Sequence, residues 1–172
     1  MAKTSTAQEL LIVALQDLND GEHALVERLQ AFAGEISPGL AAYLAEERER
    51  AARQSARLEA ALDDLGAAAT DAPNIWLRAE LDDAARDYET IVPGHLRDIA
   101  LVGAFRKAKQ SERVSYETAA GLARVTGKAG LETELLLCRD EEAAADAGLA
   151  QLLQLLLAQI NGGMIPKSKC AD

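Results

Sequence analysis

The sequence predicts an all-α fold, a four-helix bundle of two antiparallel hairpins with an extra short helix in the long connection between them. Three observations predict it. The 172-residue chain is rich in Ala, Leu, Glu and Arg and only 3% aromatic, which favours helices and close helix–helix packing. Four stretches repeat apolar residues at intervals of three and four, the period of a helix that buries one face. The prolines stand at the edges of these stretches or between them, never in their interiors. The length suits a single domain with a continuous core. Residues 1–163 are assigned to the bundle and 164–172, the proline- and lysine-containing MIPKSKCAD, to a flexible tail.

The first helix is expected to start at Ser5 or Thr6, where a hydroxyl caps the helix and Glu9 completes a capping box. It should run to about Ala33, with Gly34 as its stop. Its stripe is Leu11, Leu15, Leu18, Glu22, Leu25, Leu29 and Phe32. The second helix opens at Ser37-Pro38, a cap followed by proline at the first helical position, and ends at Leu65-Gly66. Its stripe reads Leu40, Leu44, Glu47, Ala51, Gln54, Leu58 and Leu62. The short link from Gly34 to Pro38 makes these two helices antiparallel neighbours.

Residues 66–73 read as a linker. A shorter amphipathic stretch follows, Asn74 to Thr90, with Trp76, Leu77, Leu81, Ala84 and Tyr88 on one side. The third long helix, Arg97 to Val125, carries Leu101, Phe105, Glu112, Ala119 and Leu122 inward, with Tyr116 between them and Lys109 one turn before Glu112. The fourth, Leu131 to about Asn161, carries Leu131, Leu135, Cys138, Glu142, Ala145, Leu149, Leu152 and Leu156.

Each of the four stripes is thus interrupted once by a glutamate: Glu22, Glu47, Glu112 and Glu142. Within each hairpin the two glutamates are nearly equidistant from the turn. At about 1.5 Å of rise per residue, Glu22 and Glu47 differ in height by only ~4–5 Å. Carboxylates on core-facing stripes are costly unless something pairs with them.

The formal net charge is −10, which argues against a nucleic-acid partner. Neither a targeting segment nor a membrane span is expected near the N-terminus, whose apolar run is broken by Gln16 and Asp17. A soluble cytoplasmic protein without membrane or nucleic-acid partners is the expectation. Cys138 and Cys170 form neither a disulfide framework nor a metal-finger spacing. Cys138 reads as a small buried hydrophobe, and His23 and His95 read as surface residues. Trp76, Leu77, Leu81 and Tyr88, or the outer side of the first helix at Ile12, Val13 and Val26, are expected to support a homodimer, the equal alternative being that Trp76 only plugs the bundle end.

Further residues carry a family likeness. Arg97-Asp98 with Leu101 opens the third helix, Ser115-Tyr116 is followed by Thr118, and Leu122-Ala123 falls in its last turns. Leu40, Leu44, Gln54 and Arg57 mark the second helix, and Glu141-Glu142 with Asp146 the fourth. In this order the chain resembles, over roughly Leu11 to Leu153, the ferritin-like YciE/YciF family of bacterial stress-associated proteins. The resemblance implies a ferritin-like bundle. It also implies a Glu-His-Tyr-Glu run in the third helix, where this chain has Lys109, Gln110, Ser111 and Glu112. In the second helix the family's His-Leu-Glu-Glu-Thr run falls on Glu47, Arg48, Glu49, Arg50 and Ala51. The Glu-x-x-His pairs of a di-metal bundle are absent here, since Arg50 follows Glu47 and Ala145 follows Glu142 at that spacing.

Three readings of the glutamate layer follow. In one, Glu22, Glu47, Glu112 and Glu142, with Glu49 as an alternate, bind iron or manganese in a site for iron handling or oxidation. In another, Lys109 and Arg50 neutralise the glutamates and no cofactor is bound, which fits a non-catalytic stress-associated or structural protein. In the third, some glutamates lie at helix edges and are solvated. The sequence names no small-molecule substrate.

Overall fold

The computed structural model describes residues 3–69 and 72–163, so the expected C-terminal tail lies outside the described residues. Five α-helices follow one another, α1 (Ala7–Arg28), α2 (Pro38–Asp64), α3 (Ile75–Thr90), α4 (His95–Val125) and α5 (Ala129–Gly163), and no strand occurs among the described residues. The helix α1 packs on α2 and α4 on α5; α1 also meets α4, α2 meets α5, and α3 lies against α4 and α1.

The local signals explain the boundaries. Thr6 accepts the backbone N–H of Glu9, whose side chain returns to the Thr6 backbone N–H at 2.9 Å. Ser37 caps α2, with Pro38 at its first position, and Asn74 caps α3 by accepting the Leu77 N–H at 2.9 Å. The end of the first helix departs from expectation. The α-helix stops at Arg28 and continues as a 3-10 turn, Leu29–Phe32. The tighter winding turns both Leu29 and Phe32 into the core. The left-handed residue is Glu35, with φ of 55°, not Gly34. Gly34 instead eases a close approach: its carbonyl accepts the Tyr88 hydroxyl at 2.6 Å, and a Cβ there would lie a tight 3.0 Å from that oxygen. Helices α4 and α5 each begin two residues earlier than expected.

The core has two apolar halves. One joins Leu25, Phe32, Leu44, Leu101, Phe105 and Leu149 with Leu77, Leu81 and Ala84 of α3. The other joins Leu11, Leu15, Leu58, Leu62, Tyr116, Ala119 and Leu135. Along every long helix the glutamate stands between residues of the two halves, so a polar layer divides the core.

Helix α3 is fixed at both ends. Asp20 of α1 accepts the Asn74 N–H at 2.8 Å and two bonds from the Arg78 guanidinium. Near its other end, Tyr88 meets Phe32 edge-on, and the Arg97 guanidinium lies 4.7 Å from the Tyr88 ring centroid. Leu77 and Leu81 are buried in the chain's own core, and Ile12 and Val26 are partly buried against it. Of the residues expected to form a dimer face, Trp76 and Val13 are the large apolar side chains that remain exposed. Trp76 does not plug the end of the bundle; it is 78% exposed.

By length and composition, α5 is long and apolar enough to cross a membrane (Ala129–Ile160, mean hydropathy 1.3), although it packs along α4 here. Leu155 and Leu157 remain exposed on its outer side.

Candidate functional site: a buried carboxylate layer around a lysine

Glu22, Glu47, Glu112 and Glu142 are all buried, none more than 3% exposed. Each occupies a core position of its helix, because the surrounding apolar stripe fixes the rotation of that helix. The structure divides the four into three and one. Glu47, Glu112 and Glu142 converge, and an oxygen from each lies within 4.8 Å of the others. Glu22 belongs to the same layer but is hydrogen-bonded elsewhere, accepting the Tyr116 hydroxyl at 2.5 Å.

Lys109 stands among the three converging carboxylates. Its ammonium donates to Glu47 Oε1 and lies 2.5 Å from Glu112 Oε2 and 2.6 Å from Glu142 Oε2. The last two contacts are ionic rather than aligned hydrogen bonds. Glu112 Oε2 and both oxygens of Glu142 therefore accept no hydrogen bond among the described residues. The second oxygen of Glu47 faces outward, where Arg50 donates to it and Tyr43 reaches it at 3.3 Å. Arg50 is half-buried on α2. Two turns further along α2, Arg57 holds Glu141 of α5 with two parallel bonds of 2.9 and 3.2 Å, and Gln54 adds a third at 3.0 Å.

The electrostatics follow from burial and these partners. Burial, followed by the negative charge of Glu142, pushes the Glu22 carboxyl up to about 8, against the pull of Lys109 and Tyr116. Burial also lifts Glu112 well above the usual carboxylate range. For Lys109, burial alone disfavours the charge, but Glu112, Glu142 and Glu47 outweigh it and hold the ammonium well above the usual lysine value. Burial thus favours the protonated form of Glu22 and of Glu112, while Lys109 and Arg50 bring two positive charges to the layer.

The remaining sequence candidates fall outside this cluster. Glu49 is exposed on α2 and cannot serve as an alternate ligand. His23 is exposed and pairs with Glu59 at 3.0 Å, and His95 is exposed at the start of α4. Cys138 is buried, and burial pushes its thiol up to about 11, which leaves no thiolate nucleophile at neutral pH. Sequence reasoning missed the two tyrosines as partners of the glutamates. Tyr43 carried a signal, being four residues before Glu47 and so on the same helix face. Tyr116 carried none, because it reaches across to α1. Buried Asp98 was also missed as a link between hairpins: it accepts the Ser37 N–H at 3.0 Å.

A helical fold with a buried layer of glutamates, tyrosines and a lysine defines the class of this protein. Residues 6–161 match the family described as a domain of unknown function, DUF892, and the chain belongs to that family as a YciF-like member. The structure is similar to that of the Escherichia coli stress protein YciF, with a TM-score of 0.85 at 23% identity, covering 90% of this chain and 99% of that one. It is also similar to YcfI, a putative structural protein from Rhodopseudomonas palustris, with a TM-score of 0.80 at 21% identity over 85% and 94% of the two chains. At these identities the likeness is one of fold. No curated protein sequence matches the chain.

Proposed function

We propose that this protein is a ferritin-like bundle with a degenerate carboxylate site, non-catalytic, and that it serves a stress-associated or structural role as a homodimer. The observation that carries this reading is the Lys109 ammonium among Glu47, Glu112 and Glu142. A ferritin-like di-metal centre needs divalent cations at the meeting point of its carboxylates. Here a fixed positive charge takes that position, and neither histidine is within the layer. The donor set therefore does not fit a dinuclear centre while Lys109 is present. The stress and structural roles named for YciF and YcfI support the same reading by analogy of fold.

The alternative is an iron or manganese carboxylate protein, favoured by the convergence of three glutamate oxygens. Thermal melting with Mn²⁺ separates the two. The wild type should melt at the same temperature with and without excess Mn²⁺. The Lys109→Glu variant should melt lower without metal and recover part of the loss when Mn²⁺ is added, because a ligand that binds only the folded state stabilises it. Stabilisation of the wild type by stoichiometric Mn²⁺ would overturn the degenerate-site reading. A monomeric mass by light scattering at high protein concentration would remove the homodimer.

A further inference from the structure

Between α1, the start of α3 and the middle of α4, a crevice of about 290 Å³ opens to solvent. Asp17, Ser115 and Val114 form its walls, Trp76 stands at its mouth, and Leu77 and Glu112 lie deepest in it. Its volume is near the ~300 Å³ lower end of small-molecule sites. We propose that this crevice binds a small organic cation, a primary ammonium on a short aliphatic stem, with Asp17 as counter-ion and Glu112 as the buried acceptor.

Four observations converge on that chemistry. The residues lining the crevice include two carboxylic acids and no lysine or arginine. Asp17 is half-buried and makes no ion pair or hydrogen bond among the described residues; burial and the nearby Asp20 raise its pKa, as expected of an acid without a cation beside it. Glu112 is 3% exposed yet lines the crevice; its Oε2 is paired with the Lys109 ammonium at 2.5 Å, while its Oε1 accepts no hydrogen bond among the described residues. The mouth is apolar and aromatic: Trp76 is 78% exposed and Val114 61% exposed. An exposed indole is the strongest aromatic partner for a cation, and it also covers an alkyl stem.

The donor count selects the headgroup. A primary ammonium has three N–H donors, matched here by Asp17, Glu112 and the Ser115 hydroxyl, which makes no hydrogen bond among the described residues. A quaternary ammonium would leave these acceptors unpaired, and a neutral alcohol would leave Asp17 without its counter-ion. The crevice shares Glu112 with the carboxylate layer, where its Oε2 is paired with Lys109.

Trp76 is the only tryptophan in the chain, so its fluorescence reports this site. Titration of the full chain with n-butylammonium chloride should give a saturable change. Asp17→Asn should weaken the apparent affinity at least fivefold and Ser115→Ala at least twofold, while Glu49→Gln, an exposed acid on α2, should leave it unchanged. A normal melting curve for each variant keeps loss of binding distinct from loss of fold. An equal response to n-butanol would reduce the crevice to an apolar groove. Equal weakening by Glu49→Gln would reduce the effect to the chain's overall negative charge. A response to Mn²⁺ but not to n-butylammonium would show a metal site instead. Any of these three overturns the proposal.

Discussion

Glu22 and Glu47 face each other across one hairpin at nearly the same height, and both are completely buried, yet they are accommodated by different means. Glu47 is held in a charged environment: Lys109 takes one oxygen, and Arg50 with Tyr43 takes the other. Glu22 has a single neutral donor, Tyr116, and its second oxygen has no hydrogen-bond partner among the described residues. A buried acid can be tolerated by placing a cation beside it or by leaving its proton on. This hairpin uses both. The stretch of layer around Lys109 is built from opposing charges, and the stretch around Tyr116 from a retained carboxyl proton and a neutral hydroxyl donor.

The largest expected effect breaks the charged side. Lys109→Met leaves the converging carboxylates with no ammonium between them and should cost about 2–4 kcal/mol in urea unfolding. Glu112→Gln should cost less, because burial already disfavours the charge it removes. Equal, small losses for both variants would mean the cluster is solvated.

On the proton side, the test is the pH dependence. The folded chain holds the Glu22 proton up to about pH 8, against a usual value of 4.5. Folding therefore binds this proton more tightly than the unfolded chain does. The stabilisation is complete below about pH 4.5 and is lost as the pH rises through about 8. The wild type should lose stability across that window, and Glu22→Gln should lose less. Parallel slopes for the two proteins would show that Glu22 does not carry the effect.

Tyr116→Phe sharpens the comparison further. It removes the only hydrogen-bond donor to Glu22 among the described residues and should cost about 1–3 kcal/mol, the penalty of an unsatisfied buried acceptor. Tyr43→Phe should cost less, since Glu47 keeps two cationic partners. The smallest effect belongs to Trp76→Ala. An exposed side chain away from the core should change stability by no more than about 0.5 kcal/mol, whereas a loss of several kcal/mol would restore Trp76 as a plug of the bundle end.

Much of this fold was legible in the sequence. The Thr6-Glu9 capping box and the Ser37-Pro38 start act over one helical turn, and both appear where the sequence places them. The burial of the four glutamates was also legible, since a residue within a 3.6-period apolar stripe turns inward with its neighbours. Residues 29–32 were read as α-helix because the apolar spacing continues through them. The tighter turn is selected by the fit of Phe32 against Phe105 and Tyr88, which lie on other helices.

What the sequence determined by itself was the set of helices, their inward faces and the height at which a carboxylate layer would form. The tertiary structure decided how that layer is divided. Lys109 and Glu112 share a face by spacing alone, but the ammonium reaches Glu47 and Glu142 only because α2 and α5 close against α4. Tyr116 finds Glu22 across 94 residues of chain. Periodicity fixes which way a side chain points along its own helix; which partner it meets depends on how the helices are packed, and no local spacing encodes that.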